Sequence, residues 1–420
     1  MHDLLERNQL ARQERQRRSR THGPDLAADQ GPGMLRVQGP RHDNDHARII
    51  DIRVPPTHQE LLTELPPYLP PNRPGGSPHL PPGSPEAVID CLFRLLREDL
   101  LRPLRKSLTA LMTNGGLRSL GRRQQFMDAG DSGTLMALYR RVRFENLLLK
   151  DGGWSLLVNF AELTHLAHQT QQQRFEAWTR SKRLASGSLV ALVWEELGQP
   201  QLACLSVAER DAAIMVPLKG DEGRVRIGLR PLNTLPRGLF EALGDGRREV
   251  VMVQAGASYF AYQPVLRALK ATSPPPFFAK YCKVYGDGEQ LQAEPPEFVS
   301  VRTAAGQPVH LDLTCLPRAA SSGDTDGDAL LSAQLKHVDP AHPEAFPIQA
   351  LMDWAGLNQS QAEAIRLGLC SELPIIQGPP GTGKTFVGAY LAKILVANRK
   401  RLGLHGPILV LAYTNHALDR

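Results

Sequence analysis

Apolar residues in this chain gather into runs of two kinds. Between Gly187 and Ala255 they come as short blocks, GSLVALVWEEL, QLACLSV, AAIMVPL, RVRIGLRPL and REVVMVQA, each of strand length and each bounded by Gly, Pro or charged residues. Their even spacing predicts a small barrel of OB or SH3-like type. SYFAYQPVLRALKAT (Ser258 to Thr272) returns to helical spacing and closes this region. Its aromatics Tyr259, Phe260 and Tyr262 read as core, with a base-stacking platform as the alternative. Before the strands, SPEAVIDCLFRLLREDLLRPLRKSLTALM predicts a helix. Ser84 can cap it, Pro85 suits its first turn and Glu86 complements its positive end. Val88, Leu92, Phe93, Leu95 and Leu96 mark its apolar stripe, and Pro103 should break or kink it. Arg94, Arg97, Arg102, Arg105 and Lys106 read as a solvated face because Glu98 and Asp99 lie among them, with nucleic-acid contact as the alternative.

Near the C-terminus the periodicity switches twice more. LNQSQAEAIRLGL (Leu357 to Leu369), with Ala362, Ala364, Ile365 and Leu369, predicts a helix docked ahead of a short buried strand, Leu373 to Gln377. A second helix follows Gly383, its apolar positions being Val387, Tyr390, Leu391, Ile394 and Leu395, and PILVLAY predicts another strand. Two strands about thirty residues apart with one helix between them have the span of a right-handed βαβ unit.

The polar intervals set the domain expectations. Residues 1–48 read as a disordered basic tail, since ERNQLARQERQRRSR gives way to Gly, Pro, Asp and His with few apolar residues. A nuclear signal is the alternative there, while Asp3, Glu6 and Glu14 argue against a transit peptide. Residues 49–135 form a Pro-rich strap and helical region. The stretch from Leu65 to Pro85 is expected to wrap the domain as an extended segment, or to serve as a proline-rich ligand. Residues 136–316 form the β-rich, barrel-like accessory domain with its closing helix. Residues 317–345 form a linker, flexible from Pro317 to Gln334, on which the barrel could move.

Composition narrows the class without naming a function. The chain has 420 residues, 42% hydrophobic and 22% charged, which are the proportions of a globular protein of more than one domain. A net charge of +6 permits an anionic partner. Five cysteines at 91, 204, 282, 315 and 370 include no C-x-x-C pair, which argues against a zinc knuckle or disulfide framework within these residues and fits a reducing compartment. HDNDH (His42 to His46) has metal-ligand spacing for a helix, yet its Gly/Pro-flanked polar context reads as linker. No nucleophile elbow is seen, and no apolar run of eighteen residues suggests membrane insertion.

One motif carries chemistry. Gly378, Pro379, Pro380, Gly381, Thr382, Gly383, Lys384 and Thr385 read G-x-x-x-x-G-K-T between a predicted strand and a predicted helix. Such a turn converges backbone N–H groups and the helix's positive end on phosphate oxygens. Lys384 would reach the β- and γ-phosphates of ATP, and the Thr385 hydroxyl would ligate Mg²⁺. An accidental Gly-rich turn is the alternative. The fold class expected is an α/β P-loop NTPase, the start of a RecA-like lobe at 346–420, preceded by the mixed helical and β-barrel-like accessory region.

At these residues the chain resembles superfamily 1 helicases of the branch that includes the nonsense-mediated decay helicase. There a Gln in the pattern N-x-x-Q before the P-loop reads adenine, a place that Gln361 occupies here. TNHALD is similar to the next family motif, which implies that Thr414, Asn415 and His416 lie near a bound strand. LLREDLLRPLRKSL, WTRSKRLASGSLVAL and VMVQAGASYFAYQPVLRAL extend the resemblance, from about Ile49 to Arg420, to the NFX-type zinc-finger-containing helicases, whose fingers lie after the motor. This implies an RNA-stimulated ATPase, with single-stranded or duplex RNA and silencing or RNA-surveillance proteins as partners, cytoplasmic or nuclear and not secreted. In that branch a barrel beside the first lobe touches nucleic acid, a role that Arg224, Arg226 and Arg230 could take; arginines on a soluble strand are the plainer alternative.

Hydrolysis also needs a carboxylate pair on a later strand and a second lobe. Neither is found before Arg420, so the expectation is the front part of a larger enzyme or a truncated sequence, inefficient in hydrolysis as it stands. The competing expectation is a nucleotide-responsive RNA-binding or interaction module without turnover.

Overall fold

The computed structural model describes residues 39–412 except 64, 66, 71–76, 82–83, 114, 122–125, 129–134, 151–152, 218–222, 272, 274–279, 282–293, 301–307 and 320–324. Most of the predicted tail and all of TNHALD therefore lie outside the described residues. The chain divides into two compact units, Met1–Asp287 and Gly288–Arg420.

The first unit is built on one antiparallel sheet of eight strands. These are β1 (Phe126–Asp128), β2 (Leu135–Tyr139), β3 (Arg143–Lys150), β4 (Gly153–Ala161), β5 (Ser188–Glu196), β6 (Gln199–Glu209), β7 (Arg224–Pro231) and β8 (Val251–Ser258), in the order β1-β2-β8-β5-β6-β7-β4-β3. It is larger than the small barrel expected. Among the described residues β1 and β3 are left as edges, and one backbone bond, Ala161 N to Arg140 O at 2.9 Å, brings the end of β4 to the end of β2. Four of the five quoted blocks are strands. The fifth, AAIMVPL, instead begins as a single helical turn, Ala212–Met215, because Asp211 caps it by accepting from Ala213 N at 2.9 Å.

Period-two alternation explains why the central strands are apolar on both sides. In β5, Leu189, Ala191 and Val193 enter one core while Val190, Leu192 and Trp194 enter the other. Strand β8 does the same, with Val251, Val253 and Ala255 on one side and Met252, together with Val250 just before the strand, on the other. The first core is covered by helix α1 (Pro85–Thr113) and helix α2 (Tyr259–Ala271). Helix α2 is the predicted closing helix. Its Tyr259 is fully buried, Tyr262 is partly buried and donates to Asp99 at 2.6 Å, and Phe260 is exposed, so the aromatics split between core and surface.

Helix α1 runs through Pro103 without ending, and its buried stripe is Ile89, Phe93, Leu100, Leu101, Leu104, Leu108 and Leu111. Leu92 and Leu95, expected in the stripe, are exposed. Three of the five basic residues correct both sequence readings, while Arg102 is exposed. Arg94, Arg97 and Arg105 are buried and paired, Arg94 with Asp90 at 2.9 Å, Arg97 with Glu60 and Arg105 with Glu98. A bidentate guanidinium can be buried when every donor finds an acceptor, and Arg97 also donates to the carbonyls of Arg53 at 3.1 Å and Val54 at 3.3 Å. Glu60 in turn accepts from Asn44, which clasps Arg53 through its carbonyl and amide. HDNDH is thus part of a folded hydrogen-bond network rather than a solvated linker: Thr57 donates to Asp43 at 2.5 Å and Arg41 N to Asp45 at 2.8 Å. No group of three His, Cys, Asp or Glu among the described residues could hold a metal ion. The described parts of the Pro-rich segment lie back on α1 as a strap, with Pro70 O accepting from Cys91 and the Tyr68 ring under the Arg94 guanidinium.

The WTRSKRLASGSL phrase is structural. Trp178 and Arg174 both donate to buried Glu162, Arg174 at 2.6 Å and the indole at 3.1 Å, while Arg210 ties down the carbonyls of Trp178 and Arg183 at 2.9 and 3.0 Å. Arg224 and Arg226 are likewise engaged, with Asn159 and Glu145 at 2.6 Å each, and the Arg230 Nε is buried.

The second unit begins earlier than the boundaries expected at 317 and 346. Val309, Leu311, Leu313 and Leu316 belong to its core, and the supposed flexible segment contains a helix, α3 (Thr325–Leu335), that contributes Leu335 to the same core. Helices α4 (Ile348–Ala355), α5 (Gln359–Cys370) and α6 (Lys384–Ala397) complete it. Trp354 of α4 anchors the chain before α3 by donating to Leu316 O at 3.3 Å and accepting, through its own carbonyl, from Ala319 N at 2.8 Å.

The predicted βαβ pairing is absent among the described residues. Leu373–Gln377 and the described part of PILVLAY have no ladder partners, and Ile375 and Leu411 are about four-fifths exposed, at 79% and 81%. A strand is defined by a neighbour, and neither run finds one here.

Candidate nucleotide site

The site lies where α5, the Gly-rich turn and α6 meet. Helix α5 starts with a reciprocal capping box: Gln361 N donates to Asn358 Oδ1 at 2.9 Å and Asn358 N donates to Gln361 Oε1 at 3.2 Å. Its Ala362, Ile365 and Leu369 are buried as predicted, and Gly368 lets Leu391 of α6 approach to within 2.7 Å of where a Cβ would stand. On α6, Val387 and Ile394 are buried, with Tyr390, Leu391 and Leu395 partly so.

Capping leaves the other end of the Gln361 amide free to reach the loop. Its Nε2 donates to Thr382 O at 3.3 Å, so the predicted base-reading residue and the predicted phosphate loop are in direct contact. Gly381 and Gly383 have φ of +85° and +88°, the left-handed region that L-residues enter at a cost. A Cβ on Gly383 would lie 2.7 Å from Gln361 Nε2, and one on Gly378 would lie 2.8 Å from Thr382 Oγ1. The turn is thus a cradle of backbone that side chains at these positions would fill. Thr382 braces it by donating to Pro379 O at 2.9 Å.

Lys384 is the first residue of α6 and curls its ammonium into the cradle, donating to Gly378 O at 2.6 Å and Pro379 O at 2.8 Å. Pro380 lies between these loop residues, and Thr385 stands in the first turn of α6, where unpaired N–H groups and the helix dipole favour an anion. The predicted site residues from Gly378 to Thr385 therefore come together with Gln361. Thr414, Asn415 and His416 lie outside the described residues. Sequence reasoning missed Asn398, buried at the end of α6, which exchanges hydrogen bonds with the backbone of Asp312 at 2.8 and 2.9 Å. The signal available was an Asn directly after the last helical residue.

The comparisons agree with this geometry. The AAA domain family matches residues 356–420, which span the capping box, the loop and α6 and mark a P-loop NTPase. The human NFX1-type zinc finger-containing protein 1 is 27% identical over 385 residues, 87% of this chain and 17% of that protein. The Schizosaccharomyces pombe Helicase required for RNAi-mediated heterochromatin assembly 1 is 28% identical over 342 residues, 80% of this chain and 27% of its own. ATP-dependent helicase upf1 of the same yeast is 48% identical over 66 residues, 15% of this chain and 7% of its own. The chain is thus similar to superfamily 1 helicases of the nonsense-mediated-decay branch. It spans well under a third of the length of the first relatives it matches. Among the described residues no helix is long and apolar enough to cross a membrane.

Proposed function

We propose that this chain belongs to an ATP-dependent RNA helicase, or RNA-stimulated ATPase, that binds ATP with Mg²⁺ at Gly378–Thr385 and RNA at the surface of the same lobe. The observation that carries the reading is the backbone cradle at Gly378, Gly381 and Gly383, closed on one side by Gln361 and opening onto the first turn of α6. Bound ATP would supply the scissile phosphoanhydride and Mg²⁺ its charge neutralisation, with the hydroxyl of Thr385 as the residue that would hold the ion. The chain's own contributions are positional. The loop amides and the α6 N-terminus hold phosphate oxygens, and Lys384 exchanges its two carbonyl acceptors for phosphate. Gln361, already fixed by its capping box, would keep one Nε2 hydrogen on Thr382 O and offer the other to the adenine edge.

RNA contact is assigned to Thr414, Asn415 and His416 on the strength of their order after the loop. The reading extends to silencing or RNA-surveillance proteins as partners, supported by relatives named for RNAi-mediated heterochromatin assembly and for regulation of nonsense transcripts, and with them to a cytoplasmic or nuclear location. The test is Lys384→Ala in the native protein, measured by ATP hydrolysis with and without single-stranded RNA. RNA-stimulated hydrolysis should fall at least about a hundredfold, as expected when a principal phosphate ligand is removed. Nucleotide binding by the parent protein without any RNA-stimulated turnover would replace this reading with a nucleotide-responsive module.

A further inference from the structure

A cavity lies remote in sequence from the loop. It is a polar cleft of about 680 Å³ in the first unit, where the β2–β3 turn, the end of β4 and the segment 246–249 meet. Five arginines line it, Arg140, Arg141, Arg143, Arg247 and Arg248, against two glutamates. Both carboxylates are already spent. Glu162 accepts from Arg174 and Trp178, and Glu249 accepts from Arg140 at 2.7 Å.

The remaining guanidinium groups are not balanced in the same way. Among the described residues, Arg141 and Arg247 make no hydrogen bond or ion pair through their side chains, and both are exposed. Arg248 approaches Asp245 at 3.4 Å through Nε, while its Nη1 is buried with no hydrogen-bond partner. Arg143 donates to three carbonyls, those of Asp245, Gly246 and Arg248, at 2.8, 2.6 and 3.0 Å, which fixes the segment bearing Arg247 and Arg248.

Arg141 also has φ +55°, one of three non-glycine residues with positive φ among the described residues. That conformation is imposed from both sides. Arg140 O accepts from Ala161 N at 2.9 Å, Val142 N donates to Val250 O at 2.9 Å, and Arg141 O itself accepts from Arg224. Backbone strain held by surrounding bonds concentrates where a side chain must be aimed.

We propose that this cleft is a binding site for phosphate groups, with Arg141, Arg247 and Arg248 as the ligating side chains and Arg143 as the residue that positions them. Planar guanidinium groups suit phosphate oxygens, and a buried donor without an acceptor is satisfied by such an anion. The chemistry is shared by an RNA backbone and by small polyphosphates. The site is independent of the loop at 378–385, so its failure would leave the ATPase reading untouched.

The experiment uses the full chain carrying Lys384→Ala, which silences the P-loop, and two probes: a fluorescein-labelled ten-nucleotide single-stranded RNA and inorganic tripolyphosphate as competitor. Arg141→Glu/Arg247→Glu should weaken the probe that the cleft binds by about a hundredfold, roughly tenfold per lost charged contact. Arg102→Glu/Arg237→Glu, which makes the same change in net charge on exposed residues elsewhere, should weaken it less than about threefold. Loss of RNA binding assigns the phosphodiester backbone, and its salt slope should drop by about 1.4 for two phosphates. Loss of tripolyphosphate binding alone assigns a small phosphate ligand. Equal effects of the cleft and control pairs on both probes, or no binding of either by the parent, overturn the proposal.

Discussion

The two left-handed glycines of the loop allow strain and crowding to be separated. Gly381 and Gly383 have nearly the same φ, +85° and +88°, but a Cβ at Gly381 meets nothing within 4 Å while one at Gly383 meets Gln361 Nε2 at 2.7 Å. Gly381→Ala therefore adds only the left-handed penalty, about 1–2 kcal/mol. Gly383→Ala adds the same penalty and forces the Gln361 amide from Thr382 O, a further ~1 kcal/mol for the lost hydrogen bond. An exposed loop can relax when empty, so the cost falls on the nucleotide-bound state. At 1.4 kcal/mol per decade, Gly381→Ala should weaken binding of a fluorescent ADP analogue about tenfold and Gly383→Ala about fiftyfold. Gln361→Ala should remove the crowding but not the strain, so the Gly383→Ala/Gln361→Ala pair should bind about fivefold better than the two single losses combined predict. The assay is equilibrium anisotropy with each variant checked by thermal unfolding. Equal losses at 381 and 383, or strict additivity with Gln361→Ala, would refute the claim that Gln361 packs on the loop.

The first unit offers two further tests at its buried ion pair. Arg97→Met leaves Glu60 buried without its cation and should cost about 3–5 kcal/mol, whereas adding Glu60→Gln should recover a large part of it; chemical denaturation of all four combinations measures this. Burial pushes the Glu60 carboxyl up, but the charge of Arg97 and hydrogen bonds from Arg97 and Asn44 outweigh it and hold the group below its ordinary 4.5. A depressed folded value means that the stability is fully present above the unfolded pKa and is lost as pH falls through the folded one. Thermal unfolding of the parent should therefore drop between pH 5 and pH 3 by more than that of Glu60→Gln, and parallel curves would contradict the assignment.

The loop and its flanking helices were legible because their determinants are local. A capping box, a Gly-rich turn and a 3.6-residue stripe are each written within a dozen residues, and Asn358, Gln361 and Lys384 stand where those patterns put them. Strands β5 to β8 were legible for a related reason, being apolar on both faces as sheets between two cores must be. The arginines of α1 were not legible. Whether Arg97 is solvated or buried depends on Glu60, 37 residues away, and on carbonyls of Arg53 and Val54 that no helical periodicity records. Reading charge as surface charge is right on average and fails where a bidentate acceptor is waiting.

The same distinction separates the apolar runs that became strands from those that did not. Leu189–Val193 and Leu373–Ile376 are alike as sequence, short apolar blocks beside turn residues. The first lies between two hydrogen-bonded neighbours, with Ala191 paired to both Cys204 and Val253, and is wholly buried. The second has no ladder partner among the described residues, and Leu373 and Ile375 face solvent. An apolar block states a demand for burial on two faces, and only the rest of a sheet can meet it. The loop that follows is nonetheless formed, because its geometry is held by Gln361, Thr382 and the first turn of α6 and not by the strand before it. The geometry of the proposed phosphate loop is therefore encoded more locally than the sheet on which such loops are usually mounted.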